Sequence, residues 1–129
     1  FDLSIHRSNP ALNAEQIQAM LDDIRQNYAV APTTAYNRFQ HSFSHIFAGG
    51  YAAGYYSYKW AEVLASDAFD RFENEGLFNT ETGKQFRQFI LAVGGKDSAL
   101  DAFINFRGRE PKIDALLRHQ GWTNTVKNA

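Results

Sequence analysis

The segment from His45 to Trp60 concentrates the residues most suited to chemistry. It reads His-Ile-Phe-Ala-Gly-Gly-Tyr-Ala-Ala-Gly-Tyr-Tyr-Ser-Tyr-Lys-Trp and holds three glycines and four tyrosines. Tyrosine hydroxyls donate hydrogen bonds at neutral pH, which suits a carbonyl or a developing oxyanion. Glycines let the backbone approach a ligand closely and adopt positive φ. If a helix begins near Tyr51, then Tyr51, Tyr55 and Tyr58 share one face, which fits either a buried stripe beneath a hinge or a binding face.

A second pattern is the pair His41 and His45, four residues apart. On a helix this spacing places two imidazoles on one face, as in the zinc-binding helix of a metallopeptidase. That motif also needs Glu directly after the first His, where Ser42 stands, and His6 and His119 are isolated in the sequence. We therefore predict no metal ligands in this chain. The two side chains are interpreted as half-buried, hydrogen-bonded histidines. Alternatively, one of them contacts a ligand.

The composition limits the classes of protein. The chain has 129 residues, the size of one domain, and no cysteine, which excludes disulfides and thiolate metal sites. With 13 Lys and Arg against 14 Asp and Glu, no strong charge attracts nucleic acid or an anionic membrane. No apolar run approaches the roughly 18 residues of a membrane helix. We expect a cytoplasmic protein that binds neither nucleic acid nor membrane.

Apolar spacing and capping residues predict a mostly α chain that forms a single sub-domain over residues 1–129. Residues 1–7 begin with apolar side chains and no initiator Met, and they are expected to be the tail of a helix that starts upstream. Asn13 and Gln16 predict a capping box before a helix over 14–28. Two further helices are expected over 51–75 and over 80–93. A short helix is expected after a cap formed by Ser98 and Asp101. The last helix is expected to have Pro111 in its first turn and to end at Gly121.

Two segments are less regular. Residues 38–47 alternate apolar and polar side chains, which is typical of a strand, although Phe39, Phe43 and Phe47 also repeat every four residues as a helix permits. We expect an extended segment there. The polar residues 123–129 are expected to be a frayed tail.

The segment 45–60 closely resembles the glycine-rich loop near the C-terminus of the thimet oligopeptidase family of zinc metallopeptidases. The resemblance continues, in the family's order, through Asp67-Ala-Phe-Asp-Arg-Phe, Phe78-Asn-Thr-Glu-Thr-Gly and Phe106-Arg-Gly-Arg-Glu-Pro-Lys-Ile-Asp-Ala-Leu-Leu. It implies a helical, two-lobed shell around a deep channel, with zinc held by a His-Glu-x-x-His helix and a Glu on the next helix. Neither is present in this chain. The resemblance therefore implies the C-terminal sub-domain of a longer peptidase whose zinc ligands lie upstream.

The same resemblance implies roles for individual residues. Tyr58 matches the phenol that faces the zinc and donates to the scissile carbonyl as it becomes an oxyanion. Tyr51 matches a tyrosine that holds the substrate backbone, and His45 matches the loop histidine that contacts substrate and stabilises the transition state. Tyr55 is implied to line the channel. The glycines that make the loop mobile match Gly49, Gly50 and Gly54. The implied partners are short peptides and the catalytic part of the same protein.

Two other interpretations of the sequence stay open. The chain could be a non-catalytic helical interaction module with a tyrosine-rich groove, which predicts a cooperative monomer. It could also be a small metal-binding protein, which predicts stoichiometric zinc binding that His45→Ala abolishes. A peptidase fragment instead predicts no activity in isolation and an exposed apolar face where the remainder of the protein packs.

Overall fold

The computed structural model describes residues 1–123, in which the regular elements are all helical and no strand is present. The mostly α prediction is therefore confirmed. The α-helices are α1 (Asp2–Arg7), α2 (Ala14–Tyr28), α3 (Ser57–Glu75), α4 (Thr80–Phe86), α5 (Ala99–Arg107) and α6 (Asp114–His119). Within the described part, none of these helices has the length and apolar character needed to cross a membrane.

The chain divides into two compact units, Phe1–Ser57 and the residues from Tyr58 onward. That the two units make up a single sub-domain stays a prediction. A frayed tail is predicted for residues 123–129, of which residues 124–129 lie outside the described part of the chain.

In the first unit, α2 begins and ends as its sequence predicts. Asn13 accepts a hydrogen bond from the backbone of Gln16 at 2.9 Å, and the Gln16 side chain accepts one from the backbone of Asn13 at 2.9 Å. This reciprocal pair is the capping box and satisfies two N–H groups that have no partner within the helix. Leu21 is the buried residue of α2. The helix is therefore set by local signals.

The prediction of an extended segment over residues 38–47 is wrong. The structure has two 3₁₀ turns there, Phe39–His41 and Ser44–Ile46. Backbone hydrogen bonds stay local, from His41 to Arg38 at 3.0 Å and from Phe47 to Ser44 at 3.1 Å. The four-residue repeat of phenylalanines, rather than the alternation, reflects the structure, because the rings of Phe39 and Phe43 lie 4.8 Å apart.

In the core of the second unit, α3 packs against α5 and against α4 with the π-helical turn that follows it. The buried members of this core are Ala68, Phe103 and Phe106, surrounded by partly buried apolar side chains. The rings of Phe86 and Phe106 meet edge to face at 5.4 Å, a favourable aromatic geometry. The helix predicted over 80–93 continues past α4 as a π-helical turn, Arg87–Leu91.

A buried carboxylate ties α3 to the segment after α5. Asp67 is 1% exposed, and Arg109 donates to its two oxygens at 2.6 and 2.7 Å. The backbone N–H of Lys112 also donates to it, at 2.7 Å. Burial raises the pKa of Asp67, but these hydrogen bonds outweigh it and hold the pKa below its usual value.

The hydrogen bond from Lys112 to Asp67 also explains why α6 begins later than predicted. The predicted first-turn position of Pro111 is wrong, because α6 begins only at Asp114. The backbone of Lys112 is held by Asp67 on α3, so this stretch crosses to α3 before the helix starts. The contact is between residues 45 positions apart, which spacing within the segment could not reveal.

Two further acids extend the ion pairs along α3. Asp70 lies 3.0 Å from the guanidinium of Arg107 and 2.8 Å from that of Arg118. Glu73 accepts hydrogen bonds from Arg118 at 2.5 and 3.2 Å and lies 3.0 Å from His119. A network of this kind is stronger than isolated surface pairs because each guanidinium serves two partners. It fixes α3, the helix that carries Tyr58, to α5 and α6.

Acid is expected to weaken this network at Glu73. Hydrogen bonds from Arg118, opposed by burial and aided by His119, lower the pKa of Glu73 from 4.5 to about 2. A lowered carboxyl pKa stabilises the fold above the unfolded-state value of 4.5, and that stability is lost as the pH falls toward 2. We therefore expect the stability advantage of wild type over Glu73→Gln to shrink over this range.

Urea unfolding of both chains at several pH values measures that advantage, with Glu110→Gln at an exposed position as the matched control. An advantage of wild type over Glu73→Gln that is the same at about pH 5 and about pH 3 would contradict the prediction.

Candidate functional site

Three of the predicted site residues form a ring cluster in the first unit. The ring centroids of His45 and Tyr51 are 6.2 Å apart, those of His45 and Tyr55 are 5.7 Å apart, and those of the two tyrosines are 6.5 Å apart. The tyrosine rings meet edge to face at 89°. Such arrangements stabilise aromatic pairs beyond their burial. The cluster places one imidazole and two phenols, all potential hydrogen-bonding groups, together on this unit.

Phenylalanines extend the cluster on one side. The ring of Phe43 lies edge-on to Tyr55 at 4.8 Å and 6.1 Å from His45, and Phe39 in turn contacts Phe43. These phenylalanines are not among the site residues predicted from the sequence. Their four-residue spacing was the signal that pointed to their contact. The result is a surface with both apolar and polar groups.

The turn after His45 depends on two glycines. The carbonyl of Ser44 accepts hydrogen bonds from the backbones of residues 47, 48 and 49, at 3.1, 2.8 and 2.9 Å, which coils the chain tightly. A Cβ on Gly49 would lie 2.7 Å from Cα of His45, closer than van der Waals contact allows. Gly50 has φ +80°, a conformation that strains other residues. Both glycines are needed for the shape of the turn.

Alanine substitution is expected to lower the free energy of unfolding at Gly49 but not at Gly54. Gly49→Ala is expected to lower the free energy of unfolding by about 1–3 kcal/mol, because the new methyl group meets backbone that must shift. At Gly54 the nearest atom to a new Cβ is 3.7 Å away, an ordinary contact. Gly54→Ala, the matched control, should therefore stay within about 0.5 kcal/mol of wild type. Urea unfolding measures both, and equal stabilities of the two variants would contradict this account of the turn.

Residues 51–56 form turns instead of the first turns of a helix. The prediction that Tyr51, Tyr55 and Tyr58 share one helical face is wrong, since α3 begins only at Ser57. The N–H groups of Ala53 and Tyr55 donate to the carboxylate of Asp2, at 2.8 and 2.9 Å. Ala53 has φ +54°, outside the helical region. Because these amides bond Asp2, they do not bond helical carbonyls.

Asp2 itself is a buried acid that the sequence analysis missed. It is 9% exposed, and Nδ1 of His6 lies 2.9 Å from Oδ1. Burial raises the pKa of Asp2, but the hydrogen bonds from Tyr55 and Ala53, together with His6, keep the pKa below its usual value. An acid between apolar neighbours at Phe1 and Leu3 was the available signal.

Tyr58 lies in the second unit as the second residue of α3. Its side chain is 44% exposed, so its ring is only partly covered by the unit. The phenol is attached to a helix that is held by the ion pairs of Asp67, Asp70 and Glu73. A donor on a rigid helix keeps its direction better than one on a loop.

The pair His41 and His45 is not arranged as on the zinc-binding helix of a metallopeptidase. Among residues 1–123 no group of three or more His, Asp or Glu side chains is arranged to hold a metal ion. His41 and His45 lie in different 3₁₀ turns rather than on one face of a helix. The helical geometry that their spacing allows is therefore not adopted.

Comparison with known proteins identifies the family. The model of peptidase family M3 matches residues 1–122, and the chain belongs to this family. Oligopeptidase A of Escherichia coli is 53% identical over 121 residues, which are 94% of this chain and 18% of that protein. The "Probable cytosolic oligopeptidase A" of Arabidopsis thaliana is 51% identical over 124 residues, 93% of this chain and 18% of that protein.

A dipeptidyl carboxypeptidase of Salmonella typhimurium is also similar, at 44% identity over 79 residues, 61% of this chain and 12% of that protein. The chain thus spans less than a fifth of the length of these curated relatives. The resemblance of the segment 45–60 to the thimet oligopeptidases is confirmed at the level of the family.

Proposed function

We propose that this chain is the C-terminal part of a zinc metallo-oligopeptidase that hydrolyses short peptides in the cytoplasm. The observation that carries the proposal is the cluster of His45, Tyr51 and Tyr55, three hydrogen-bonding rings within 6.5 Å of one another, held by a turn that requires glycine. Membership of family M3 and similarity to the oligopeptidases A support peptide hydrolysis. The chain contributes peptide binding and stabilisation of the oxyanion.

Each group has a distinct task in this proposal. The phenol of Tyr58 donates a hydrogen bond to the oxygen of the scissile carbonyl as negative charge develops there. Tyr51 holds the peptide backbone, and His45 contacts the substrate and supports the same developing charge. Tyr55 lines the channel that admits the peptide. Movement of the loop about Gly49, Gly50 and Gly54 closes the site over the peptide.

The zinc ion of such an enzyme is proposed to be held by residues outside this chain. The sequence contains no His-Glu-x-x-His, since its four histidines are followed by Arg, Ser, Ile and Gln. Among residues 1–123 no group of three or more His, Asp or Glu side chains could hold the ion. When bound, zinc supplies Lewis-acid activation of the hydrolytic water. The groups of this chain act on the substrate and not on the metal.

An apolar face on the second unit supports a packing role toward another part of the protein. Side chains of α3, of α4 and of the turn between them surround an open cavity of about 520 Å³, lined by Ala65, Ala68, Phe69, Phe72, Leu77 and Phe86. Phe69 is 48% exposed and Leu77 is 57% exposed. Exposed apolar surface of this kind is typical of a surface that another polypeptide covers. In the proposal, the remainder of the same peptidase covers it.

A hydrolysis assay tests the proposal. A quenched fluorescent peptide is incubated with the longer protein and, separately, with the purified 129-residue chain, each with added zinc and with a chelator. We expect turnover by the longer protein that the chelator abolishes and zinc restores, and none by the chain alone. Absence of turnover by the longer protein would favour the interaction module. Chelator-sensitive turnover by the chain alone would favour a metal site at His41 and His45.

A further inference from the structure

The carboxylate of Asp2 is the strongest feature that the proposed function does not use. Both of its oxygens are engaged with the turn that carries the tyrosines, Oδ1 by the N–H of Ala53 at 2.8 Å and Oδ2 by the N–H of Tyr55 at 2.9 Å. Nδ1 of His6 lies 2.9 Å from Oδ1 and 2.9 Å from the backbone carbonyl oxygen of Asp2. A buried carboxylate that accepts several hydrogen bonds is fixed in direction.

The turn needs such a fixed acceptor. Ala53 is held at φ +54°, which costs energy for a residue with a Cβ and persists only where the surroundings impose it. The N–H groups on either side of Gly54 bond Asp2, and the N–H of Gly54 bonds the carbonyl of Tyr51 at 2.9 Å. The side chain of Asp2 thus attaches the backbone that carries Tyr51 and Tyr55 to α1.

We infer that Asp2 is a positioning residue, which sets the places of Tyr51 and Tyr55 for peptide binding through the backbone of residues 53–55. This inference rests on the proposed function, because it assigns those tyrosines to the peptide. Asp2 acts through the turn and does not touch the substrate. Two groups are proposed to act on the developing charge. Tyr58 lies in the other unit, on a helix with its own ion pairs, and His45 lies in the 3₁₀ turn Ser44–Ile46, which is closed by hydrogen bonds to the carbonyl of Ser44, so both keep this support when Asp2 is changed.

Asp2→Asn is the most specific variant. It keeps the shape of the side chain but replaces one acceptor oxygen with an NH2 group, a donor that faces a backbone N–H. Peptide-binding groups that lose their place weaken substrate binding, so KM of the longer protein should rise by about tenfold while kcat stays within about twofold. A merely structural loss would lower the active fraction and thus kcat, with KM unchanged. Asp23→Asn, at an exposed position of α2, is the matched control and should leave both constants unchanged.

Amide hydrogen exchange of the longer protein, followed at residues of this chain, gives a readout that needs no activity. In Asp2→Asn the amides of Ala53 and Tyr55 should exchange about tenfold faster, because their acceptor is weakened, while that of Leu21 in α2 stays as in wild type. Should Asp2→Asn fail to fold, Asp2→Glu retains the charge, displaces it by one methylene and should move exchange and KM in the same direction.

Unchanged exchange at Ala53 and Tyr55 would overturn the inference, and so would faster exchange with an unchanged KM. If the wild-type longer protein cleaves no peptide, the proposed function fails instead, and this outcome is distinguishable because it requires no variant. Faster exchange together with a raised KM and a steady kcat supports the inference.

Discussion

Tyr58→Phe in the longer protein is expected to lower kcat for peptide hydrolysis by about 10²–10³-fold, with KM within about twofold of wild type. The variant keeps the ring and removes only the hydroxyl, so packing on α3 is preserved. A hydrogen bond that forms as charge develops on the carbonyl oxygen stabilises the transition state more than the bound substrate. Loss of that donor therefore affects turnover and leaves substrate binding nearly unchanged.

Tyr56→Phe is the matched control for this experiment. Tyr56 is a neighbouring phenol, 55% exposed, to which the resemblance assigns no role. Removal of its hydroxyl should leave kcat within about twofold of wild type. Steady-state kinetics on a single quenched peptide compares the two variants. A kcat for Tyr58→Phe equal to that of the control would refute the role given to Tyr58.

Asp67→Ala is expected to cause the largest loss of stability, about 3–5 kcal/mol in the free energy of unfolding. Asp67 is 1% exposed, and its removal leaves the guanidiniums of Arg107 and Arg109 and the N–H of Lys112 without the acceptor that they share. Removing one partner of a buried ion pair is costly because the remaining charge stays desolvated. A loss this large approaches the whole stability of many small domains.

Urea unfolding of the 129-residue chain measures this loss, and Asp97→Asn at an exposed position provides the control. A second comparison tests the cause. Arg109→Ala breaks the same pair, so the double variant should lose less than the sum of the two single losses. A loss below about 1 kcal/mol for Asp67→Ala would place the pair among ordinary surface salt bridges and contradict the account of α3.

Elements with local determinants could be predicted from the sequence. Asn13 and Gln16 are three residues apart and bond each other, so the start of α2 follows from residue types alone. Ser98 likewise accepts a hydrogen bond from the backbone of Asp101 at 3.1 Å and caps α5 as expected. The proximity of His45 to Tyr51 and Tyr55 likewise follows from their places within one short segment, whereas their roles toward a substrate stay a prediction.

Long-range contacts set the features that the sequence could not reveal. The helix expected from Tyr51 begins at Ser57 because Asp2, 51 and 53 residues away from its partners, binds the intervening amides. The start of α6 is displaced from Pro111 to Asp114 by the bond between Lys112 and Asp67. In both cases a buried carboxylate recruits backbone N–H groups that local propensity would place in a helix.

Photo-crosslinking tests most directly whether a peptide binds to the segment that carries His45, Tyr51 and Tyr55. A non-hydrolysable short peptide with reduced peptide bonds and a benzophenone side chain is irradiated with the longer protein, and the adducts are mapped after digestion with trypsin. Trypsin releases residues 39–59 as one peptide, because no Lys or Arg lies between Arg38 and Lys59. The fragment 88–96, which includes exposed Leu91, reports nonspecific labelling.

Residues 39–59 are expected to carry an adduct that excess unlabelled peptide suppresses, with residues 88–96 unlabelled. Labelling of 39–59 that competitor does not reduce, or its absence while other parts of the protein are labelled, would contradict the claim that this chain binds the substrate.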